Sequence, residues 1–330
     1  MRSLCLTALS SLSVGEDVLV NPAHNNDSAV GPTVVGVVGA TASGKSDLAV
    51  ALARALHSEV INADSMQLYR GMDVGTAKLP VDERGGVTHH LLDIWEVTAT
   101  ASVADYQSRA RAIIDSLRAQ GRSPVLVGGS GLYVRATLDH LEFPGTDPEI
   151  RGRLEAELTD LGPGVLHRRL ARVDPAAARA IPAANGRRVV RALEVVEITG
   201  APYTASLPVA RDVYPSVQLG LDVPRPVLDA RIDERVDRMW GAGLVEEVRT
   251  LVELGLREGV TASRALGYAQ VLRFLEGSCT EADAREETKR TTRRYVRRQD
   301  TWFRRDLRIV WLPYDAPDLL ERALEAVARG

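Results

Sequence analysis

Apolar residues change their spacing along this chain in ways that mark out its elements. Val34 to Val38 is a short β-branched run ending at Gly39, as expected of a buried strand. From Asp47 to Leu56 apolar residues recur at helical spacing, at Leu48, Ala49, Leu52, Ala53 and Leu56. Glu59 to Ala63 predicts a brief strand that runs into Asp64, and His89 to Ile94 is another short apolar segment. Ser102 to Gln120 predicts an amphipathic helix on Val103, Tyr106, Ala110, Ile113, Ile114 and Leu117, with Ser102 as its cap. Val125 to Val127 and Val217 to Val223 predict further strands, and Ile309 to Leu312 is a late apolar run.

Pro144-Gly145-Thr146-Asp147-Pro148 interrupts this alternation with turn residues, a capping Asp and a Pro at the first helical position. From Glu149 to about Ile198 the pattern is helical throughout, with breaks at Gly162-Pro163-Gly164 and from Ile181 to Gly186; Gly200 and Pro202 end it. No strand signal lies in between. The pattern, with Gly39 to Ser46 spaced as a phosphate loop directly after the first strand, predicts an α/β fold, a P-loop NTPase-like parallel-sheet core over 32–145 and 206–330, with a helical insertion domain over 146–205. Arg231 to Val248 places Ile232, Val236, Met239, Leu244, Val245 and Val248 on one core face of a single helix.

Composition narrows the class without changing that picture. The 330 residues, 45% hydrophobic and 26% charged, are those of a globular protein. No run approaches the roughly 20 apolar residues that span a bilayer. A net charge of −3 argues against a protein that coats nucleic acid indiscriminately, though it leaves room for a local basic face. Two cysteines, Cys5 and Cys279, give neither a disulfide framework nor a metal cluster and suit a reducing cytoplasm. Met1 to Gly31 lacks a small-residue cleavage site and is expected to be a disordered extension. Nothing in the pattern suggests an oligomer interface, so a monomer is expected.

The chemistry begins where the first strand ends. Gly39-Ala40-Thr41-Ala42-Ser43-Gly44-Lys45-Ser46 has the spacing of a phosphate loop, in which backbone N–H groups and a helix N-terminus converge on phosphate oxygens. Lys45 would neutralise an oxyanion and Ser46 would hold Mg²⁺. Asp64, at the end of the next strand, would face the same crevice. The strand that should carry a Walker B carboxylate runs instead into Gly128-Gly129-Ser130, which suits anion binding better than activation of water. His89 and His90 are adjacent, so their side chains diverge; a structural or substrate-lining role fits them better than a metal. Arg231, Arg235 and Arg238 lie at successive helical turns, so at least two can point toward one phosphate. Lys289-Arg290, Arg293-Arg294 and Arg297-Arg298 recur every four residues with Tyr295, Trp302 and Phe303 interleaved, and Arg304-Arg305 follow. Such a stripe reads either as an RNA-facing surface or as a solvated face paired with Glu281, Asp283, Glu286 and Glu287. On the residues alone, a small-molecule kinase, a prenyltransferase acting on free nucleotides and a non-catalytic tRNA-binding protein all remain open.

In order along the chain, the phosphate loop, Asp64-Ser-Met-Gln-Leu-Tyr69, Gly71-Met-Asp-Val-Gly-Thr-Ala-Lys78, His89-His-Leu-Leu-Asp-Ile94, Gly128-Gly-Ser-Gly-Leu-Tyr133, Arg191-Ala-Leu-Glu194, Arg264-Ala-Leu-Gly-Tyr268 and Arg297-Arg-Gln-Asp-Thr-Trp302 together resemble the tRNA dimethylallyltransferases. The resemblance covers about residues 33 to 313. It implies transfer of a dimethylallyl group from dimethylallyl diphosphate to N6 of adenosine 37 in tRNAs reading codons that begin with U. It further implies Mg²⁺ as cofactor, the phosphate loop on the diphosphate, Asp64 as base, and Ser130 and Arg235 beside the leaving group. Contacts with the anticodon stem-loop are implied for Asp64, Ser65, Met66, Gln67, Ser130, Arg151, Arg187, Arg188, Arg191, Arg264, Gly267, Tyr268, Gln270, Arg297, Arg298, Gln299 and Arg304. Two departures stand out: Ser130 replaces the family's usual Thr, and Pro224-Arg225 replaces an Asp-Arg pair. The C-terminal zinc finger of eukaryotic members is absent, as in bacterial ones.

Overall fold

Val34–Val38 (β1) is buried along its whole length, because it lies at the centre of a sheet covered on both faces. The computed structural model describes residues 32–203 and 209–330. The disorder expected for 1–31, and the insertion's far boundary at 205/206, lie outside the described residues. Beside β1 stand Val60–Asn62 (β2), His89–His90 (β3), Val125–Gly128 (β4), Ser216–Asp222 (β5) and Ile309–Pro313 (β6). All pair in parallel, in the order β3-β2-β4-β1-β5-β6.

Side chains alternate across β1 as the pleat requires. Val35 and Val37 face Lys45–Ala55 (α1), joining Leu48, Leu52, Val217 and Ala323 in one core. Val34 and Val38 face the other way, toward Tyr106 and Ile114 of Val103–Ala119 (α2) and Val134 and Leu138 of Gly131–Leu138 (α3). Ser102 caps α2, its side chain accepting from Asp105 N. The strand order reverses its sense of progression beside β1, between β1 and β4, and a doubly wound sheet opens its ligand crevice at such a point.

The inserted stretch forms Pro148–Leu161 (α4), Pro163–Val173 (α5), Pro175–Ala180 (α6) and Gly186–Thr199 (α7) around their own core of Leu154, Leu166, Leu170, Val189 and Leu193. Asp147 caps α4 and Pro148 starts it. A break absent from the sequence reading falls at Asp174-Pro175, where buried Asp174 accepts from Ala177 N and Tyr203 N. The rest of the chain supplies Arg225–Gly241 (α8), Leu244–Glu253 (α9), Tyr268–Leu275 (α10), Glu281–Phe303 (α11) and Leu319–Arg329 (α12). The single helix predicted over Arg231–Val248 is in fact two. Gly243 takes a left-handed φ of 94° and turns the chain between them. Among the described residues no helix is long and apolar enough to cross a membrane.

Candidate active site

The phosphate loop joins β1 to α1 and bends at three left-handed positions, Gly39, Ala42 and Gly44. Lys45 starts α1 and donates from Nζ to Ala40 O at 3.1 Å, closing the loop on itself. Burial lowers Lys45 to about 8, with Arg235 adding to that push and Asp64 opposing it. Ser43 is buried with its hydroxyl unpartnered among the described residues, and Ser46 is exposed at the first turn of α1.

Asp64 follows β2, and its position is set by Asn62. The buried Asn62 amide accepts from Asp64 N at 2.9 Å and donates to Asp64 O and Leu91 O. Asp64 Oδ1 accepts from Met66 N at 3.0 Å. Ser130, at the head of α3, accepts from Ser65 N at 3.1 Å and donates to Ser65 Oγ. Its hydroxyl thus ties the β4 exit to the β2 exit. Sequence reasoning missed Asn62, although a polar residue closing an apolar strand two places before a candidate base was the available signal.

A cavity of about 340 Å³ opens beside these groups. Its lining combines the polar Thr41, Asp64, Arg235, Arg264, Tyr295 and Arg298 with the apolar Met66, Val236, Met239, Ala265 and Leu266. Arg235, on α8, donates to Thr76 O at 2.9 Å, and burial pulls its guanidinium below the ordinary range while Asp64 opposes. Burial, with Asp64 adding to it, raises the Tyr295 phenol to about 12, so it stays a donor. Arg231 does not join this group. It lies over the Tyr314 ring, 4.6 Å from its centroid.

Several residues that the resemblance assigned to RNA are spent inside the protein. Gln299 is buried. It accepts from Thr41 N at 2.9 Å and donates to Gly129 O at 2.8 Å, bridging the phosphate loop and the β4 exit. Gly129 leaves room for it, since a Cβ there would stand 2.4 Å from Gln299 Nε2. Tyr268 is buried with its hydroxyl on Glu247, and the Gln270 side chain accepts from Gly267 N. Gln67 donates to Thr76 O. Arg151 and Arg191 both pair with fully buried Glu194, whose carboxyl they hold below its usual range against the opposing effect of burial. Arg304 pairs with Asp222 and Asp300. Arg187, Arg188, Arg264, Arg297 and Arg298 are exposed.

The basic stripe on α11 divides in two. Arg285 and Lys289 pair with Asp237, Arg290 with Glu287 and Arg293 with Asp233. Arg294, Arg297, Arg298 and Arg305 make no ion pair among the described residues. His90 pairs with Glu59 and His89 meets Val87 O, and no group of metal-ligating side chains occurs among the described residues.

Residues 67–306 match the family model described as IPP transferase. The chain is 68% identical over 300 residues to the tRNA dimethylallyltransferase of Thermobifida fusca, covering 89% of this chain and 94% of that one. It is 65% identical over 305 residues to the tRNA dimethylallyltransferase of Streptomyces griseus, covering 89% and 98%. The crystal structure of the full-length tRNA isopentenylpyrophosphate transferase from Bacillus halodurans is similar at a TM-score of 0.66 and 40% identity, covering 90% and 95%. A eukaryotic dimethylallyltransferase captured acting on tRNA is similar at 0.76 and 25% identity, covering 90% and 77%. The chain belongs to the IPP transferase family.

Proposed function

We infer that this protein transfers the dimethylallyl group of dimethylallyl diphosphate to N6 of adenosine 37 in tRNAs that read codons beginning with U, releasing diphosphate. The observation that carries the reading is the mixed lining of the cavity, which brings Asp64, Arg235, Arg264 and Arg298 together with the apolar Met66, Val236, Met239 and Leu266. An allylic diphosphate combines an anionic and an apolar part in the same way, and the relatives supply the prenyl class and the tRNA.

The adenine amine is a weak nucleophile because its lone pair is delocalised into the ring. Asp64 takes a proton from N6 as the new C–N bond forms and the C–O bond to diphosphate breaks. Lys45 and Arg235 meet the negative charge that grows on the leaving oxygens, in a cavity where such charges act strongly. Ser130 adds a hydroxyl at the same crevice. Mg²⁺ fits this donor set. Magnesium is commonly held by substrate phosphates, water and few protein oxygens, and Ser46 offers an exposed hydroxyl with no partner among the described residues. When bound, it would neutralise phosphate charge. The target base sits in an anticodon loop and must leave its stack to reach the cavity. Arg264 and Arg298 at the rim, with Arg294 and Arg297 beyond, supply cations for the RNA backbone. The inserted helices offer exposed Arg187 and Arg188 to the same RNA. The same reading makes the protein a monomer of the cytoplasm, where its cysteines stay reduced.

Incubation with Mg²⁺, labelled dimethylallyl diphosphate and either an anticodon stem-loop bearing A36-A37-A38 or free AMP tests this. Label on the stem-loop and not on AMP is the expected result. Label on AMP alone would replace the reading with a cytokinin-type activity, and label on neither would overturn it.

A further inference from the structure

Glu247 makes contacts that a solvated helix residue has no reason to make. It lies on α9, and its carboxylate accepts four hydrogen bonds. Asp73 N and Val74 N donate to Oε2 at 3.0 and 2.6 Å, and Gly75 N and Tyr268 Oη to Oε1 at 3.1 and 2.5 Å. The three N–H groups open a tight turn, in which Ala77 N donates to Val74 O and Lys78 N to Asp73 O. Such a turn start presents unsatisfied donors to an anion. Here the anion belongs to the chain itself.

The turn is held at its other end as well. Buried Lys78 donates to Tyr69 O and pairs with Asp73 and Asp93. Ala77, Leu91 and Asp93 keep left-handed backbone around it, a conformation that costs energy without glycine and persists only where neighbours dictate it. Gly75 sits so close to Tyr268 that a Cβ would fall 2.5 Å from its ring. The turn therefore has one seating, and Glu247 with Tyr268 defines it.

The seating matters because of Thr76. Its carbonyl, next in the chain after the three captured N–H groups, accepts from Arg235 Nη2, the cavity's α8 cation. Gly75 and Thr76 themselves line the cavity. We propose that Glu247 is a positioning residue: it fixes the Gly71–Lys78 turn so that Thr76 O aims the Arg235 guanidinium at the diphosphate subsite. The proposal rests on the reading that this cavity receives a diphosphate.

Inorganic pyrophosphate is the probe, because its binding requires neither the prenyl group nor tRNA. Its Kd is measured by calorimetry for the full chain and for Glu247→Gln, Arg235→Ala and the double variant. A Gln side chain offers one acceptor oxygen where the carboxylate offers two, so the turn loses part of its hold. The expected loss for Glu247→Gln is about tenfold, shrinking to under twofold in the Arg235→Ala background, since the two act as one unit. The KM for dimethylallyl diphosphate rises with it, while the KM for the stem-loop stays within twofold. An equal loss in both backgrounds, or no loss at all, overturns the proposal. Tyr268→Phe removes one donor and leaves the backbone three. It should show the same coupling at two- to threefold, and it stands in if Glu247→Gln does not fold. Failure of the wild-type chain to label a stem-loop would count against the tRNA reading and leave the pyrophosphate cycle intact.

Discussion

Arg235 in the crevice and Arg191 in the inserted helices are both partly buried guanidiniums, and they serve opposite ends. Arg191 spends its donors on Glu194, Pro144 O and Gly145 O, fastening α7 to the strand-side linker. Arg153 and Arg169 form a second closed set with Glu157 and Glu197. Among the described residues Arg235 has a single carbonyl partner, and it lines the cavity. The division recurs within α11, where carboxylates answer the basic residues up to Arg293 and leave Arg294, Arg297 and Arg298 without an ion pair among the described residues. In both regions the arginines that carboxylates answer are committed to the fold, and Arg235, Arg264 and Arg298, which have no carboxylate ion pair among the described residues, line the cavity.

The sharpest test of the crevice is Asp64→Ala. Loss of a general base should lower turnover by roughly 10²- to 10⁴-fold, with stem-loop affinity within twofold of wild type. Near-normal turnover in a single-turnover assay would remove Asp64 from that role. On the insertion side, Glu194→Gln leaves two arginines facing one uncharged amide and should cost about 3 kcal/mol in urea unfolding, the scale for breaking a buried ion pair. Glu194 is held below the usual carboxylate range in the folded chain. Its contribution is therefore complete above that range and fades as pH falls through the folded value, so acid should loosen the wild type and leave the variant's stability flatter. An unchanged unfolding midpoint would erase the contrast between the two regions.

Lys45 gives a smaller effect and a direction. With its ammonium lowered to about 8, the free enzyme loses this cation as pH rises through that value. The kcat/KM for dimethylallyl diphosphate should fall about tenfold per unit above it, and Lys45→Arg should carry the limb to higher pH because a guanidinium keeps its proton. A flat alkaline profile in the wild type would detach Lys45 from donor capture. The smallest effect compares two turns of α11. Arg297→Ala should weaken stem-loop binding a few-fold and reduce the slope of log K against log salt by about 1, whereas Arg290→Ala, already paired with Glu287, should leave the slope unchanged. Equal slopes would mean that ion pairing in the free chain does not decide which arginines meet RNA.

The elements were largely legible because their signals are local. The β-branched run of β1, the Asp147-Pro148 start of α4 and the Ser102 cap each lie within a few residues of what they specify. The break at Asp174-Pro175 was passed over because Leu166, Leu170 and Ala177 on either side of it stay in phase with one helix. That at Gly243 was passed over because Leu244 and Val248 read as part of the face of Ile232 and Val236, although at 3.6 residues per turn they fall about a third of a turn away. Gln299 was legible as polar and helical, but not as buried, since the partners that satisfy its amide lie far away in sequence and are backbone atoms. Glu247 was invisible for the same reason. Three of its four donors are peptide N–H groups, which every residue but proline carries, so no sequence pattern announces them.

The Gln299 bridge also bears on how the molecule is made. Thr41 N is satisfied by a side chain 258 positions further along. Around the same loop, β1 pairs with strands that begin only at Val125 and Ser216. Closing contacts of such separation is slow, because chain entropy is lost before they repay it. As the chain leaves the ribosome, residues 39–46 emerge long before α11, and they must wait for it. A product terminated ahead of Gln299 would contain every residue of the phosphate loop and still lack the bridge that sets the loop's shape.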